Sequence, residues 1–460
     1  MKRKKKSIHT KKSSPHSLPV LNSLVAGVDL GSREHWVCGP ARKDGIPNVL
    51  SFGTTTPQLE KLVAWLQEQG VVSVAMESTS IYWIPLYELL ESRGFEVLLV
   101  NAQHISNVPG RKTDVLDCQW IQLLHSCGLL RGSFRPDEAI CALRTLRRQW
   151  RNLIEERTKA VQWMQKALDQ MNVQVHRAVS DLTGKTGMAI VRAIISGERS
   201  PLKLAEHRDR RCKKSIAEIA DYLTGNWREE HLYNLESSLR FYDNLQSMIE
   251  GYEKRLLEKI KSLQAPELRE LPIPAHPNPV KEKTINKKGG KEYREALWRL
   301  TGVDLSRIDG ISAQTSLTVI TEIGLDLSSF PNEKHFVSWL RLSPWQAYSG
   351  GKKLKKKRKP LGTNKAAEAL RLAAASLHSS KTALGAYYRK IARRRGAGVA
   401  IFATARKLAT LVFRMLKYGQ DYTDIGEQAY EATFMKRRFA GLKSSAKSMG
   451  YELIAIKEAV

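Results

Sequence analysis

The sequence predicts an α/β domain at the N-terminus, a pair of long helices in the middle and a mainly helical region at the C-terminus. Three observations predict it. Short apolar runs alternate with segments of helical spacing up to about residue 126, apolar residues then recur at threes and fours over two long stretches, and turn residues cluster between these blocks.

The elements of the first domain follow in order. Leu24 to Leu30 (LVAGVDL) reads as a buried strand, and extended stretches around His35 to Gly39 and Pro47 to Phe52 suit an antiparallel meander. Residues 56 to 69 (TPQLEKLVAWLQEQ) have helical spacing and Gly70 ends them. Val71 to Met76 (VVSVAM) is a second apolar strand, Ile81 to Arg93 a helix stopped by Gly94, and Phe95 to Asn101 (FEVLLVN) a further strand. After the turn signal at Pro109 and Gly110, Thr113 is a candidate N-cap for a helix with Val115, Leu116, Ile121, Leu123 and Leu124 on its core side. Three antiparallel strands, then alternating helix and strand with a late helix, describe a ribonuclease-H-like fold.

Four carboxylates fall at the ends of these elements. Asp29 closes the first apolar run and Glu77 the second, while Asp114 and Asp117 open the late helix at a spacing of three that places them on one face. Carboxylates gathered from separate elements repel unless a cation neutralises them, so the four read as one hard-cation site for Mg²⁺, with Mn²⁺ as the alternative. Two-metal phosphodiester chemistry needs that arrangement. Each acid also has a plainer role available: Asp114 can serve the open amides of a helix start, Asp29 a strand-to-turn junction, and Glu77 a solvated strand end. Four such coincidences in chain order are much rarer than one.

Composition narrows the partner class. The formal charge of +29 attracts polyanions through counterion release, which makes nucleic acid the leading partner. The excess is clustered in residues 2 to 6 and in Lys352 to Lys359 (KKLKKKRK). A solvated tail is the expectation for the first run, whereas the second follows directly on a candidate site. Five cysteines contain no C-x-x-C pair, which argues against a zinc ribbon or a disulfide framework and for a reduced, cytoplasmic protein. Neither a membrane span nor a signal peptide is expected, since no stretch of about 18 uninterrupted apolar residues occurs.

In the middle, Ile140, Leu143, Leu146, Trp150, Leu153, Val161, Met164 and Leu168 keep helical spacing, as do Leu235, Leu239, Tyr242, Met248, Ile249, Tyr252, Leu256, Ile260 and Leu263. Two such helices read best as an antiparallel coiled-coil arm, with an ordinary helical bundle as the alternative, and a seam of this kind can pair subunits. Pro, Lys and Gly then dominate a stretch that reads as a linker. Beyond it, Ile308 to Ile311 (IDGI) with Leu317, Val319 and Ile320 has the form of a helix-hairpin-helix, whose glycine, Gly310, lets backbone amides approach a phosphate. In Tyr348-Ser349-Gly350-Gly351-Lys352 the two glycines permit a tight turn, with Lys352 and Lys353 able to neutralise a phosphate beside an exposed hydroxyl. From the residues alone this reads first as a flexible surface turn. It is not a P-loop, because no glycine stands five residues before Gly351.

Several stretches together resemble one family, the DEDD-type transposases of bacterial insertion sequences (the IS-one-ten and IS-eleven-eleven group). They are GVDLGS at Gly27, AMESTSIYW at Ala75, the segment from Leu98 to Pro136 with VPGRKTD, SDLTGKTGMAIVRAIISGER around Asp181, IDGISAQTSLTVITEIG and SGGKK. The resemblance spans roughly residues 24 to 420, with Ser80 standing where the usual pattern has glycine. It implies a ribonuclease-H-like, Holliday-junction-resolvase-like catalytic domain, a coiled-coil arm and a mainly α C-terminal transposase domain with the helix-hairpin-helix-like element.

The resemblance also implies roles. Asp29, Glu77, Asp114 and Asp117 would bind metal, and Ser349 would be a nucleophile that links covalently to DNA, with Tyr348 the runner-up. A basic stretch, Gly362 and Asn364, and the Ala-rich helix Ala366 to Leu377 follow the serine as the family pattern requires. Arg111, Lys112, Gly310, Gly350, Gly351, Lys352, Lys353, Lys355, Lys356, Lys357 and Arg358 are the expected nucleic-acid contacts. Implied partners are element and target DNA, a structured non-coding guide RNA, and further copies of the chain in a dimer or tetramer, in the nucleoid-associated cytoplasm of a bacterium. The alternative is a metal-dependent, structure-selective nuclease of the Holliday-junction resolvase type, which would use the same acids with water as nucleophile. The expected divisions are a basic disordered tail over 1–22, the catalytic domain 23–137, the helical coiled-coil region 138–265, a linker 266–298, the C-terminal domain 299–425 and a tail 426–460.

Overall fold

The computed structural model describes residues 19–41, 48–78, 80–101, 114–269, 271–286, 289–344, 347–349, 352–354 and 364–454, with the backbone alone at 114–116, 286, 347–349 and 352–354. The chain divides into two compact units on either side of the Arg135–Pro136 bond.

In the first unit β1 (Val25–Leu30), β2 (Glu34–Cys38) and β3 (Val49–Gly53) are followed by α1 (Thr56–Glu68), β4 (Ser73–Glu77), α2 (Trp83–Ser92), β5 (Glu96–Val100) and α3 (Asp114–Ser126). The strand order is β3-β2-β1-β4-β5. β1 runs antiparallel to β2 and parallel to β4, and β4 parallel to β5. Helix α1 starts with proline in its first turn, where the missing N–H costs nothing, and ends at Gly70, whose φ of +67° suits a residue without a side chain.

Strand alternation sorts the sheet into two faces. Ala26, Val28 and Leu30 of β1 and Val74 and Met76 of β4 enter a core with Leu59, Leu62 and Leu66 of α1 and Leu86 and Leu90 of α2. Full burial of each such leucine contributes about 1.5–3 kcal/mol. On the opposite face Ala75, Leu98 and Val100 pack against Ile121 of α3.

Ser80 adopts a φ of +54°. That is the left-handed region in which a side chain crowds the following carbonyl, and it explains why glycine suits this position. Ser80→Gly is expected to stabilise the first unit by about 1 kcal/mol, read from the midpoint of urea unfolding.

The second unit is helical apart from a small hairpin. It opens with α4 (Glu138–Gln170), capped by Asp137, whose carboxylate accepts from the Ile140 amide at 2.9 Å. Four shorter helices, α5 (Val175–Ala178), α6 (Lys185–Ile195), α7 (Pro201–Ala205) and α8 (Ile216–Leu223), lead into α9 (Glu229–Ser262). Helices α4 and α9 lie antiparallel: Trp150 donates to Glu253 at 3.2 Å, Arg157 to Gln246 at 2.6 Å, and Trp163 stacks on Phe241 with ring centroids 6.0 Å apart. The short helices form their own core with Met164, Leu168, Leu235 and Leu239 at one end of the pair. Leu235, Leu239, Ile249, Leu256 and Ile260 are buried as their spacing suggests, but Met248 points to solvent.

The expected linker over 266–298 holds two helices, α10 (Pro279–Asn286) and α11 (Gly290–Thr301). Helix α11 is part of the core: Tyr293, Ala296, Leu297 and Trp298 are buried, and the buried Arg294 donates to Asp304 at 2.7 Å and Glu282 at 2.9 Å. Next come α12 (Ala313–Ile323), α13 (Glu333–Trp339), the hairpin β6 (Ala347–Ser349) and β7 (Lys352–Leu354), α14 (Lys365–Ala375), α15 (Ala383–Arg395) and α16 (Ala397–Tyr418). Residues 426–460, expected as a tail, contain the long helix α17 (Gly426–Ser448), none of whose side chains is buried. Arg144 of α4 donates to the Thr321 and Glu322 carbonyls, and Arg148 clasps the Glu322 carboxylate at 2.8 and 2.9 Å, so the base of the helix pair is pinned to α12.

Candidate active site

The parity that sends Val28 and Met76 into one core sends Asp29 and Glu77 to the other face of the sheet. The parallel register pairs Val28 with Met76, so the two acids fall one step further along neighbouring strands, at their carboxyl ends. Both are half-buried, and Trp36 lies opposite Asp29 on β2.

Helix α3 covers this face. Gly27, two residues before Asp29, is what lets it do so: a Cβ there would come within 2.3 Å of the Gln122 amide nitrogen and 2.5 Å of the Cys118 carbonyl. The backbones of β1 and α3 are therefore in direct contact. Further along, the His125 ring shares a hydrogen bond of 2.9 Å with the Ser73 hydroxyl, and burial lowers its pKa. The Cys118 thiol is pushed up to about 12, first by burial and then by the negative charges of Cys38 and Asp29. It stays protonated and serves as a small packing group. Asp29 is thus close enough to α3 for its charge to be felt one residue from Asp117.

The structure thus brings Asp29 and Glu77 to adjacent strand ends and sets the half-buried Asp117 on the helix that covers them. Asp114 starts the same helix, three residues earlier, and its side chain lies outside the described residues. Among the described side chains, no three carboxylate, imidazole or thiol groups stand within metal-holding reach of one another. The donors themselves are all carboxylate oxygens, the hard ligands that suit Mg²⁺ or Mn²⁺.

Sequence reasoning missed the seam that seats α3. Leu123 and Leu124, expected on its core side, are only half-buried, whereas Cys118, Ile121 and Cys127 are buried. The repeat of Cys118, Ile121, Gln122 and His125 at threes and fours carried that signal. Arg135 was also missed: it reaches Glu88 and Glu91 at 3.1 Å and lies over the Tyr87 ring, 4.2 Å from its centroid, tying the end of the unit to α2.

The remaining site residues belong to the second unit or lie outside the description. Ser349 ends β6 directly opposite Lys352, and Tyr348 lies opposite Lys353, with Gly350 and Gly351 between them in the sequence. Those two glycines, together with Arg111, Lys112, Lys355, Lys356, Lys357 and Arg358, lie outside the described residues. Gly310 has a φ of +84°, as a tight turn requires, but a Cβ on it would come within 2.7 Å of the Ala373 carbonyl. This close approach to α14 gives the glycine a packing reason of its own. No described helix is long and apolar enough to cross a membrane.

The mixed sheet with acids on parallel strand ends, joined to a helical remainder, is compatible with a ribonuclease-H-like domain, the class of enzyme that processes nucleic-acid phosphodiesters. Two family models match the chain: one described as Transposase, of the DEDD type of IS110 elements, over residues 26–173, and one described as Transposase IS116/IS110/IS902 family over residues 303–389. The chain belongs to this IS110 family of transposases and is an enzyme acting on DNA in transposition. A DEDD-type domain points to the use of a divalent metal. No curated protein matches the chain.

Proposed function

We propose that the chain cuts and rejoins the DNA of an insertion sequence through a covalent link to Ser349. The register that pairs Ser349 directly with Lys352 supports this most directly, since a hydroxyl-bearing residue and a lysine then occupy opposed positions on neighbouring strands. The Ser349 oxygen attacks the scissile phosphorus, a new P–O bond forms to the serine, and the bond to one sugar oxygen breaks. The serine hydroxyl gives up one proton and the departing oxygen takes one up to leave as a hydroxyl, so the exchange is proton-neutral, and Lys352 and Lys353 balance the charge on the phosphoryl oxygens. Because one phosphodiester replaces another, the reverse attack by a strand end restores the DNA backbone without an external energy source.

Asp29, Glu77, Asp114 and Asp117 would hold Mg²⁺, which when bound supplies charge neutralisation at the scissile phosphate. By resemblance to the family, a structured non-coding RNA pairs with donor and target DNA, and the working form is a dimer or tetramer; base pairing then reads sequence while the protein reads backbone and shape.

Covalent trapping tests the reading. With junction DNA, the adjacent non-coding RNA and Mg²⁺, the native chain is expected to give a protein–DNA adduct that survives denaturation, and Ser349→Ala to give none. Cleavage without an adduct, unchanged by the substitution, would point instead to a hydrolytic nuclease of the resolvase type.

A further inference from the structure

A cavity of about 720 Å³ lies between α15 and α17, lined by Lys390, Arg393, Arg394 and Arg438 with a single carboxylate, Glu431. Arg389 also lines it but is committed to Glu427. Arg393, Arg394 and Arg438 are exposed, and among the described residues no carboxylate lies within ion-pair distance of them, so their charges stand open to an anion from solvent. Lys390 is set over the ring of Phe434, and its ammonium is driven below its ordinary pKa, first by lost solvent and then by the charges of Arg394 and Arg438. Like charges gathered on one groove favour the entry of an anion.

Helix α17 buries none of its side chains, so its composition is not explained by core packing. It adds Lys436, Arg437, Lys443 and Lys447 to the same basic character. A groove walled by two helices that both carry guanidinium groups matches a run of phosphates better than one small anion, because the charges extend along the helix axes.

We infer that the α15–α17 groove is a DNA-binding surface that holds the phosphate backbone of a duplex without reading its sequence. The inference rests on DNA being the partner of this transposase and not on the roles of Ser349 or the four acids.

The test is equilibrium binding of the full-length protein, in the absence of divalent metal, to a short DNA duplex and to an RNA hairpin over a range of salt. The triple variant Arg393→Ala, Arg394→Ala, Arg438→Ala is expected to lose roughly 10- to 100-fold in duplex affinity and to lower the slope of log affinity against log salt by about 2 to 3. The corresponding triple lysine variant keeps the charge and is expected to keep most of that affinity. A control triple on the arm, Arg228→Ala, Arg240→Ala, Arg255→Ala, removes equal charge elsewhere and is expected to shift affinity by less than about threefold. A groove variant no weaker than the arm control overturns the inference. So does equal loss in the alanine and lysine triples, or loss of hairpin binding with duplex binding intact. Since the readout is binding alone, failure of the serine mechanism would leave this result unchanged.

Discussion

Asp29→Ala is expected to slow DNA strand cleavage by roughly three orders of magnitude while DNA affinity stays within about twofold. The carboxylate sits at the carboxyl end of β1, one strand from Glu77 and facing α3. Its removal takes away a proposed metal ligand and leaves the hydrophobic face of the strand, Ala26, Val28 and Leu30, untouched. The fold is therefore expected to survive. In metal-free buffer the variant should melt at the same temperature as the native chain or slightly above it, because one charge among neighbouring carboxylates is gone. Asp114→Ala is expected to behave alike. Quantifying cleaved DNA in single-turnover reactions, alongside circular dichroism melts, checks both halves. A variant that cleaves at the native rate would remove the residue from the site.

The second large effect is expected at a residue with no chemistry. Gly27→Ala inserts a methyl group where the Cys118 carbonyl and the Gln122 amide already stand, at 2.5 and 2.3 Å. Neither is the end of a flexible side chain, so the helix itself must move. Overpacking against backbone is expected to cost about 3 kcal/mol or more. Any molecules that still fold carry α3, with Asp114 and Asp117, displaced from the strand ends, and a displacement near 1 Å lowers the rate by about 100-fold. Urea unfolding monitored by circular dichroism reads the first effect, and cleavage at a temperature where the variant is folded reads the second. Gly70→Ala is the contrast: that glycine has a positive φ but no atom near its missing Cβ, so it should lose stability through backbone strain alone and keep its cleavage rate.

Strands β1 and β4 were legible because they are buried on both faces and so read as apolar runs. The same runs announced Asp29 and Glu77 by ending on them. What the sequence did not disclose is the contact of α3 with β1, since Gly27 looks like any other strand glycine until the helix is laid on it. Helix α11 escaped for a different reason. Its periodic residues Tyr293, Leu297 and Leu300 begin only after a stretch of proline and lysine whose composition dominates the window. Helix α17 escaped because it has no buried stripe to betray it. Gly310 was legible as a turn glycine, whereas its close approach to the Ala373 carbonyl was not, because spacing along one chain does not disclose a neighbour 63 residues away.

The contacts that pin α4 to the C-terminal helices bear on how the chain is made. Arg144 and Arg148 meet Glu322, and Arg151 meets Glu368 at 2.6 Å, across sequence separations of 178, 174 and 217 residues. During synthesis the first unit has all of its own sheet and helices once Arg135 has emerged, whereas the base of α4 waits until α12 and α14 have left the ribosome. Contacts of such range are slow to form, and their partners stay open to other chains in the meantime. Translation that stops before residue 313 therefore leaves an intact first unit attached to an unpaired arginine-rich helix, a fragment prone to associate with whatever polyanion or second nascent chain it meets first.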